Sequence, residues 1–366
     1  MSDSARVSTS NASSEEAQLR RLLSLESSIS TTSSPHIQQY TQGQEESFRG
    51  IGFGTCGIVY ARLGSSTVVK LAKRGYGEDL LNDSTMHQKI QEQFDFYSVN
   101  DVKIPNWISF ESNVDSPTFF DRHPALESAV GKNCEIPTST LVTEHILPLS
   151  QPTRLALIEK YCPEHIRQSA LDSPGNQDCL VRVYLGSMKG RLDRSEPGAG
   201  GRPLRWFTLR NFPLHLNQIE NLGLDVVTLA RRMGTAMAIL HWAAKTDAKD
   251  VEFVLGSSSR KTLGERNASD QDELLIRTPD FWVLDFNQVQ DITLDEAGVM
   301  MAVKAAKMND PYIPKPRQGS EIEKRAWDSF VESYLAQSNT IFTADRSYGP
   351  ENCALPRMFI EGLIGK

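Results

Sequence analysis

Eight residues near the front of the chain carry the strongest chemical signal: Gly52-Phe-Gly54-Thr-Cys-Gly57-Ile-Val59. Glycines at this spacing let a strand and turn bring backbone N–H groups against phosphate oxygens with no Cβ in the way. A dinucleotide-binding turn needs a helix directly after the last glycine. A phosphate-covering hairpin instead needs a second strand, a valine two residues on and a lysine on a third strand. Ile58-Val59-Tyr60 is β-like and Val68-Val69-Lys70 follows at a hairpin's distance, so the second reading fits and Lys70 supplies the cation. Other chemistries lack their residues: there is no Gly-x-Ser-x-Gly, no His-Glu-x-x-His and no Walker A motif. Cys162-Pro-Glu-His165 is the one close Cys/His pair, and without a second pair a four-ligand zinc site has no support.

The elements that must hold these residues follow from texture. Short apolar runs broken by glycine, at 50–60, 66–71 and 141–146, read as strands. In the second half Val226, Leu229, Ala230, Met233, Met237 and Leu240 recur at helical spacing and predict a long helix ending near His241. Thr293 with Glu296, and Ser320 with Glu323, predict two more helices by their capping boxes, the second burying Trp327, Phe330, Val331 and Tyr334. Stretches 186–205 and 256–278 are polar and read as long surface insertions. Strands first and helices second predict an α+β, two-lobed arrangement. Fifteen of the first 40 residues are Ser or Thr, which predicts a disordered tail with one marginal helix over 13–29, started by Ser13 and Glu16 ahead of Leu19, Leu22 and Leu23. The charge of −7 and the lack of a basic block argue against nucleic acid as a partner. Five scattered cysteines with no CxxC, no apolar leader and no run of 18 apolar residues predict a reduced, cytoplasmic or nucleocytoplasmic protein with no membrane partner.

With the glycine hairpin and Lys70 in place, the chain resembles the protein-kinase-like superfamily, and further parts of that pattern occur in order. The resemblance implies a two-lobed kinase-like fold, with a small, mainly β N-lobe and a larger helical C-lobe, and it implies ATP and Mg²⁺ as ligands. Leu81-Asn-Asp83-Ser-Thr-Met86 looks like the helix whose acid pairs with the lysine, Asp83 replacing the usual Glu. Leu141-Val-Thr-Glu144-His-Ile146 looks like the fifth strand and adenine-binding hinge, which implies Glu144 and Ile146 as nucleotide contacts beside Gly52, Gly54, Gly57 and Val59. Lys245-Thr-Asp247-Ala-Lys249-Asp-Val-Glu252 is similar to the catalytic loop: Asp247 takes the base position, Lys249 the phosphate-neutralising lysine and Glu252 the place of the metal-binding Asn. A three-residue shift would make Asp250 the base. Phe281-Trp-Val-Leu-Asp285-Phe-Asn287 resembles the Asp-Phe-Gly element, which implies Asp285 as a second metal ligand with Asn287 in place of Gly.

No Ala-Pro-Glu follows, and the short run from Asp285 to the next helix leaves little room for a peptide-docking segment. The small-molecule phosphotransferases of the superfamily are the nearer resemblance, which implies a hydroxyl acceptor of unknown identity. The departures at Lys245 and Glu252 keep open an inactive member that works through a protein partner. The combination of Asp-Val-Glu-Phe-Val-Leu-Gly, Phe-Trp-Val-Leu-Asp-Phe-Asn-Gln and Asn-Asp-Pro-Tyr-Ile-Pro is also similar to a filamentous-fungal family of unknown function sometimes labelled "zinc finger protein". The expected organisation is a tail at 1–47, an N-lobe at 48–150, a C-lobe at 151–345 and a C-terminal tail at 346–366.

Overall fold

The computed structural model describes residues 16–25, 47–62, 64–131, 134–190, 205–261, 275–316, 319–344, 349 and 351–365. Helix α1 (16–23) comes first. Strands β1 (Phe48–Phe53), β2 (Gly57–Arg62) and β3 (Thr67–Ala72) lead into helix α2 (Gly77–Phe96) and strand β4 (Trp107–Glu111). Helices α3 (Ser116–Arg122) and α4 (Pro124–Val130), strand β5 (Thr140–Glu144) and helices α5 (Gln151–Tyr161) and α6 (Arg167–Asp172) follow. Next come β6 (Val181–Tyr184), β7 (Phe212–His215), α7 (Leu216–Asn221), α8 (Val226–Ala238), β8 (Glu252–Lys261) and β9 (Leu275–Leu284). Helices α9 (Glu296–Met308), α10 (Glu321–Ala344) and α11 (Leu355–Ile364) close the chain, which is therefore α+β. No helix among the described residues is long and apolar enough to cross a membrane.

Two compact units divide it: one takes 37–145, 227–253 and 282–366, the other 1–36, 146–226 and 254–281. The first unit holds a five-stranded sheet in the order β1-β2-β3-β5-β4, every neighbouring pair antiparallel. Alternation along β3 sorts its side chains between two faces. Val69 and Leu71 join Ile58, Tyr60, Phe119, Phe120, Leu126 and Val130 under α3 and α4. Ala72 packs on the opposite face with Leu80 of α2 and Leu141 of β5, and Lys70 shares the parity of Ala72. The same unit carries the helical core. Along α8 the apolar stripe is buried as its spacing predicts, but the α-helix stops at Ala238 and continues as a π-helical turn over Ile239–Ala243. Thr246 closes that turn, its N–H and its hydroxyl both donating to the Leu240 carbonyl at 3.0 and 2.8 Å. The turn places His241 at zero exposure with Nδ1 2.9 Å from the Tyr334 hydroxyl, and burial lowers its pKa to about 3.

The second unit contains a four-stranded sheet, β7-β6-β8-β9, with β6 parallel to β7 and antiparallel to β8. This corrects the plan of strands first and helices second. Residues 256–261 and 275–278, read as part of a polar insertion, are strand. Their backbone pairs in a ladder whatever the polarity of Ser257, Ser258 and Arg260, and side-chain texture does not reveal that. The middle of that stretch, 262–274, and most of the other expected insertion, 191–204, lie outside the described residues, as do Ser13 and most of the expected N-terminal tail.

The caps differ in one place. Helix α10 begins at its expected capping box, with Ser320 N–H donating to Glu323 Oε2 at 3.0 Å and Glu323 N–H to Ser320 Oγ at 3.4 Å. Helix α9 is capped by Asp295, whose Oδ1 accepts from Gly298 N–H at 3.0 Å, while Thr293 donates its hydroxyl to the same oxygen at 2.7 Å. Of the four residues expected to be buried on α10, Phe330 and Tyr334 are buried, and Trp327 and Val331 are half-buried. Within the expected C-terminal tail, Leu355–Ile364 form α11, whose Gly362 lets it approach α9 so closely that a Cβ there would lie 2.6 Å from Val303 Cγ2.

In the helical core Gly234 brings α8 into close approach with α10. A Cβ at that position would fall 2.4 Å from the Phe330 carbonyl oxygen and 2.3 Å from Ser333 Oγ, and the backbone oxygen has no rotamer by which to yield. Gly234→Ala is therefore expected to lower the unfolding free energy by about 1–3 kcal/mol, read as a lower urea midpoint with an unchanged slope; a neutral or stabilising result would contradict the close approach.

Candidate functional site

Helix α2 buries Leu80, Asp83, Ser84, Met86, His87, Ile90 and Phe94. An aspartate in such a stripe needs a partner, because a carboxylate removed from water and left alone is unstable. Asp83 has two. Oδ2 accepts from the Lys70 ammonium at 2.6 Å, and Oδ1 accepts from the Phe286 N–H at 3.1 Å. The same ammonium donates to Asp285 Oδ1 at 3.2 Å. One lysine on β3 thus joins an acid on α2 to an acid just past β9, 215 residues away in sequence. The aspartate, one methylene shorter than the glutamate of the resemblance, reaches the lysine.

Asp285 sits at φ 68°, in the left-handed region that aspartate tolerates better than most residues and that recurs at functional sites. The chain after it is fastened to α2 at successive points. Asn82 Nδ2 donates to the carbonyls of Asn287 and Val289 at 3.0 and 2.9 Å, the His87 ring meets Phe286 edge-on at 5.1 Å, and Lys89 pairs with Asp291. The motif pattern does not mark Asn82, and it leaves His87 as a helix-surface or packed histidine; polar residues lying beside an apolar helical stripe are the available signal.

Burial works against the Lys70 charge, but Asp83 and then Asp285 outweigh it, so the ammonium pKa is raised well above its usual value. Cys56 is buried beside this group, and burial raises its thiol pKa, which disfavours the thiolate.

The glycines serve the hairpin in distinct ways. A Cβ at Gly57 would lie 2.8 Å from the Leu71 carbonyl oxygen and 3.2 Å from Lys70 Cγ, so the neighbouring strand's backbone requires that glycine and the lysine stem passes beside it. A Cβ at Gly52 would meet Val59 at 3.3 Å. Gly54 N–H donates to the Gly57 carbonyl at 3.0 Å, and the Gly54 carbonyl accepts from Lys73 Nζ at 2.6 Å, so this amide closes the turn on itself. Val59 stands opposite Lys70 in the β2–β3 register.

Asp247 is buried, and its Oδ1 accepts from the N–H groups of Lys249 at 3.0 Å and Gln290 at 2.9 Å. Burial raises its pKa, and these two N–H groups oppose the rise. Its own N–H donates to the Gln290 carbonyl at 2.9 Å, and Ile292 N–H donates to the Lys245 carbonyl, also at 2.9 Å, so 245–247 and 290–292 form a short two-chain ladder. Asp250 is exposed at φ 64° and accepts from Gln288 Nε2 at 2.5 Å. Glu252 is half-buried at the first position of β8. Glu144 accepts from both the backbone and side-chain nitrogens of Asn106, at 3.0 and 2.7 Å, which ties β5 to the entry of β4. Ile146 belongs to the other unit.

The structure therefore brings Lys70, Asp83 and Asp285 together with Cys56 and Gly57 beside them, and ties Asp247 and Asp250 to 288–290. Two features of the cluster bear on a hard cation. Asp285 is partly exposed while holding the lysine. Two residues on, the buried Asn287 Oδ1 has no hydrogen-bond partner, an oxygen of the kind magnesium accepts. Among the described residues no three His, Cys, Asp or Glu side chains converge as a metal site.

A family model described as "Zinc finger protein" matches residues 281–346, from the end of β9 through α9 and α10. That segment contains neither cysteine nor histidine, the side chains that hold structural zinc in fingers. No curated protein and no solved structure matches the chain.

Lys70→Met leaves Asp83 buried with its ammonium partner gone, an expected cost of about 3–5 kcal/mol. Because the folded-state lysine pKa lies above its ordinary 10.5, this stabilisation is complete below 10.5 and disappears as pH rises through the raised value. Urea unfolding of the two proteins should show a constant difference from neutral pH to about 10 that narrows only beyond it; narrowing already between about pH 8 and 10 would contradict the clamp.

Proposed function

We propose that the protein binds Mg·ATP at the Lys70 cluster and acts as a kinase-like phosphotransferase on a hydroxyl acceptor of small-molecule type. The observation that carries this reading is the Lys70 ammonium held between Asp83 at 2.6 Å and Asp285 at 3.2 Å. Strand lysine, helix acid and post-strand acid occur in the order of the kinase pattern. The sheet order β1-β2-β3-β5-β4, with α2 following β3, supports the same reading, as does the glycine hairpin over the lysine. Mg·ATP supplies the phosphoryl group. Lys70 neutralises phosphate charge, Asp83 keeps the lysine extended, and Asp285, with Asn287 Oδ1 and Glu252, offers oxygens to the cation. Asp247 or Asp250 accepts the proton of the acceptor hydroxyl.

One observation favours a second reading, in which nucleotide binds and nothing is transferred. Asp247 Oδ1 already receives two backbone N–H bonds, an arrangement suited to holding a loop. A pseudokinase-like interaction protein would keep the clamp and use Asp247 in that way.

Thermal unfolding with ATP, with and without Mg²⁺, tests the nucleotide site, since a ligand at about a hundredfold excess over its Kd adds about 2.7 kcal/mol. A magnesium-dependent rise in Tm, lost in Lys70→Ala and in Asp285→Asn when each variant is compared with its own ligand-free form, is the expected result. No rise at millimolar ATP would overturn the proposal; a rise without phosphoryl transfer to any hydroxyl would select the second reading.

A further inference from the structure

The Ser/Thr-rich front of the chain contributes one described element, α1, which belongs to the unit that holds α5, α6 and α7. Leu19, Leu22 and Leu23 are spaced to form one stripe and are buried to 1%, 8% and 1% exposure. Glu16 pairs with Lys160 of α5 at 2.5 Å. Arg20 lies across Gly223, a glycine at φ 66° just past α7; a Cβ there would sit 3.1 Å from Arg20 Cδ, so the arginine arm covers bare backbone. Three leucines, one ion pair and one arginine arm hold the helix down.

Ser24 follows the last helical residue and is half-exposed. Arg20 and Arg21 precede it by four and three positions, and Leu23 adjoins it. Two guanidinium groups at that distance ahead of a serine are what an acidic substrate groove recognises through charge-assisted hydrogen bonds. We propose that Ser24 is a phosphorylation site for an arginine-directed protein kinase, and that the phosphate releases α1 from its seat. In the transfer, Ser24 Oγ bonds to the γ-phosphorus of that kinase's Mg·ATP and the bond from the γ-phosphorus to the bridging oxygen breaks. ADP leaves, and the hydroxyl proton passes to the kinase's base.

Three consequences act in one direction. The phosphate brings roughly −1.5 to −2 of charge to the C-terminal end of α1, where outward-pointing carbonyls already make the potential negative. It sets that charge beside Leu23, whose burial the docked form requires. It also attracts Arg20, one turn back, and so draws the guanidinium off Gly223. The kinase reads Arg20 in the undocked form, and the phosphate shifts an existing equilibrium toward it. The proposal is independent of nucleotide binding at Lys70.

The full chain, treated with the catalytic subunit of an arginine-directed kinase and Mg·ATP, should carry phosphate on Ser24 by tandem mass spectrometry, and should lose it when Arg20 and Arg21 are both replaced by alanine. Amide exchange over 19–23 should then run at least tenfold faster than in the untreated chain and match a Leu19→Ala, Leu22→Ala variant that marks the undocked state. Absence of phosphate on Ser24, or phosphate there with exchange unchanged or slowed, overturns the proposal. Equal exchange in the untreated chain and the leucine variant overturns the docking on which it stands.

Discussion

A buried aspartate on an otherwise apolar helical stripe must be compensated, and at Asp83 the compensation organises the unit around it. The carboxylate takes a lysine from β3 on one oxygen and a backbone N–H from the chain after β9 on the other. Removing the lysine leaves the buried Asp83 carboxylate without its ammonium partner, a loss on the order of 3–5 kcal/mol. The clamp thus ties together three segments distant in sequence. The second carboxylate, Asp285, shares the ammonium while remaining partly exposed. The cluster is thus closed on the α2 side and accessible on the Asp285 side.

Around that clamp the irregular backbone falls into order. Asp285 adopts φ 68°, and Lys245, Ala248 and Asp250 adopt φ 53°, 52° and 64° within a few residues of Asp247. Such conformations cost of order 1–3 kcal/mol each and persist only where neighbours over-determine them. Here the neighbours are identifiable. Asn82, Asp83, His87 and Lys89 hold the segment from Asp285 to Asp291 against α2, and Asp247 latches its own loop onto Gln290. The π-helical turn after α8, closed by Thr246, delivers the chain into that loop. Strain, latch and clamp lie along one continuous path from α8 to α9.

Legibility in the sequence followed the scale of each interaction. Strands β1 to β3 were readable as short apolar runs broken by glycine, and Lys70 stood out because it follows the glycine hairpin on a third strand. The Ser320 and Glu323 box was readable because both partners sit in the motif itself. The β7-β6-β8-β9 sheet was not, since Ser257 and Ser258 pair through backbone atoms that composition does not report. Helix α9 starts at Asp295 in place of Thr293 because two adjacent oxygen-bearing side chains compete for one cap, and only geometry decides between them. Gly57 was legible as a glycine required by its surroundings, but for a different reason: the Leu71 carbonyl oxygen lies where its side chain would be. The tie between Asp247 and Gln290 joins two loops 43 residues apart and had no local signature.

The central claim is that Lys70 is held as a charged ammonium by Asp83 and Asp285 together. Nitrogen-15 NMR of the lysine side chains observes this directly. The account predicts one Nζ resonance that keeps its ammonium form beyond the ordinary lysine pKa of 10.5, exchanges its protons slowly, and returns toward ordinary behaviour in Asp83→Asn with a smaller change in Asp285→Asn. A Lys70 signal that titrates at or below 10.5, or that ignores both substitutions, would contradict it.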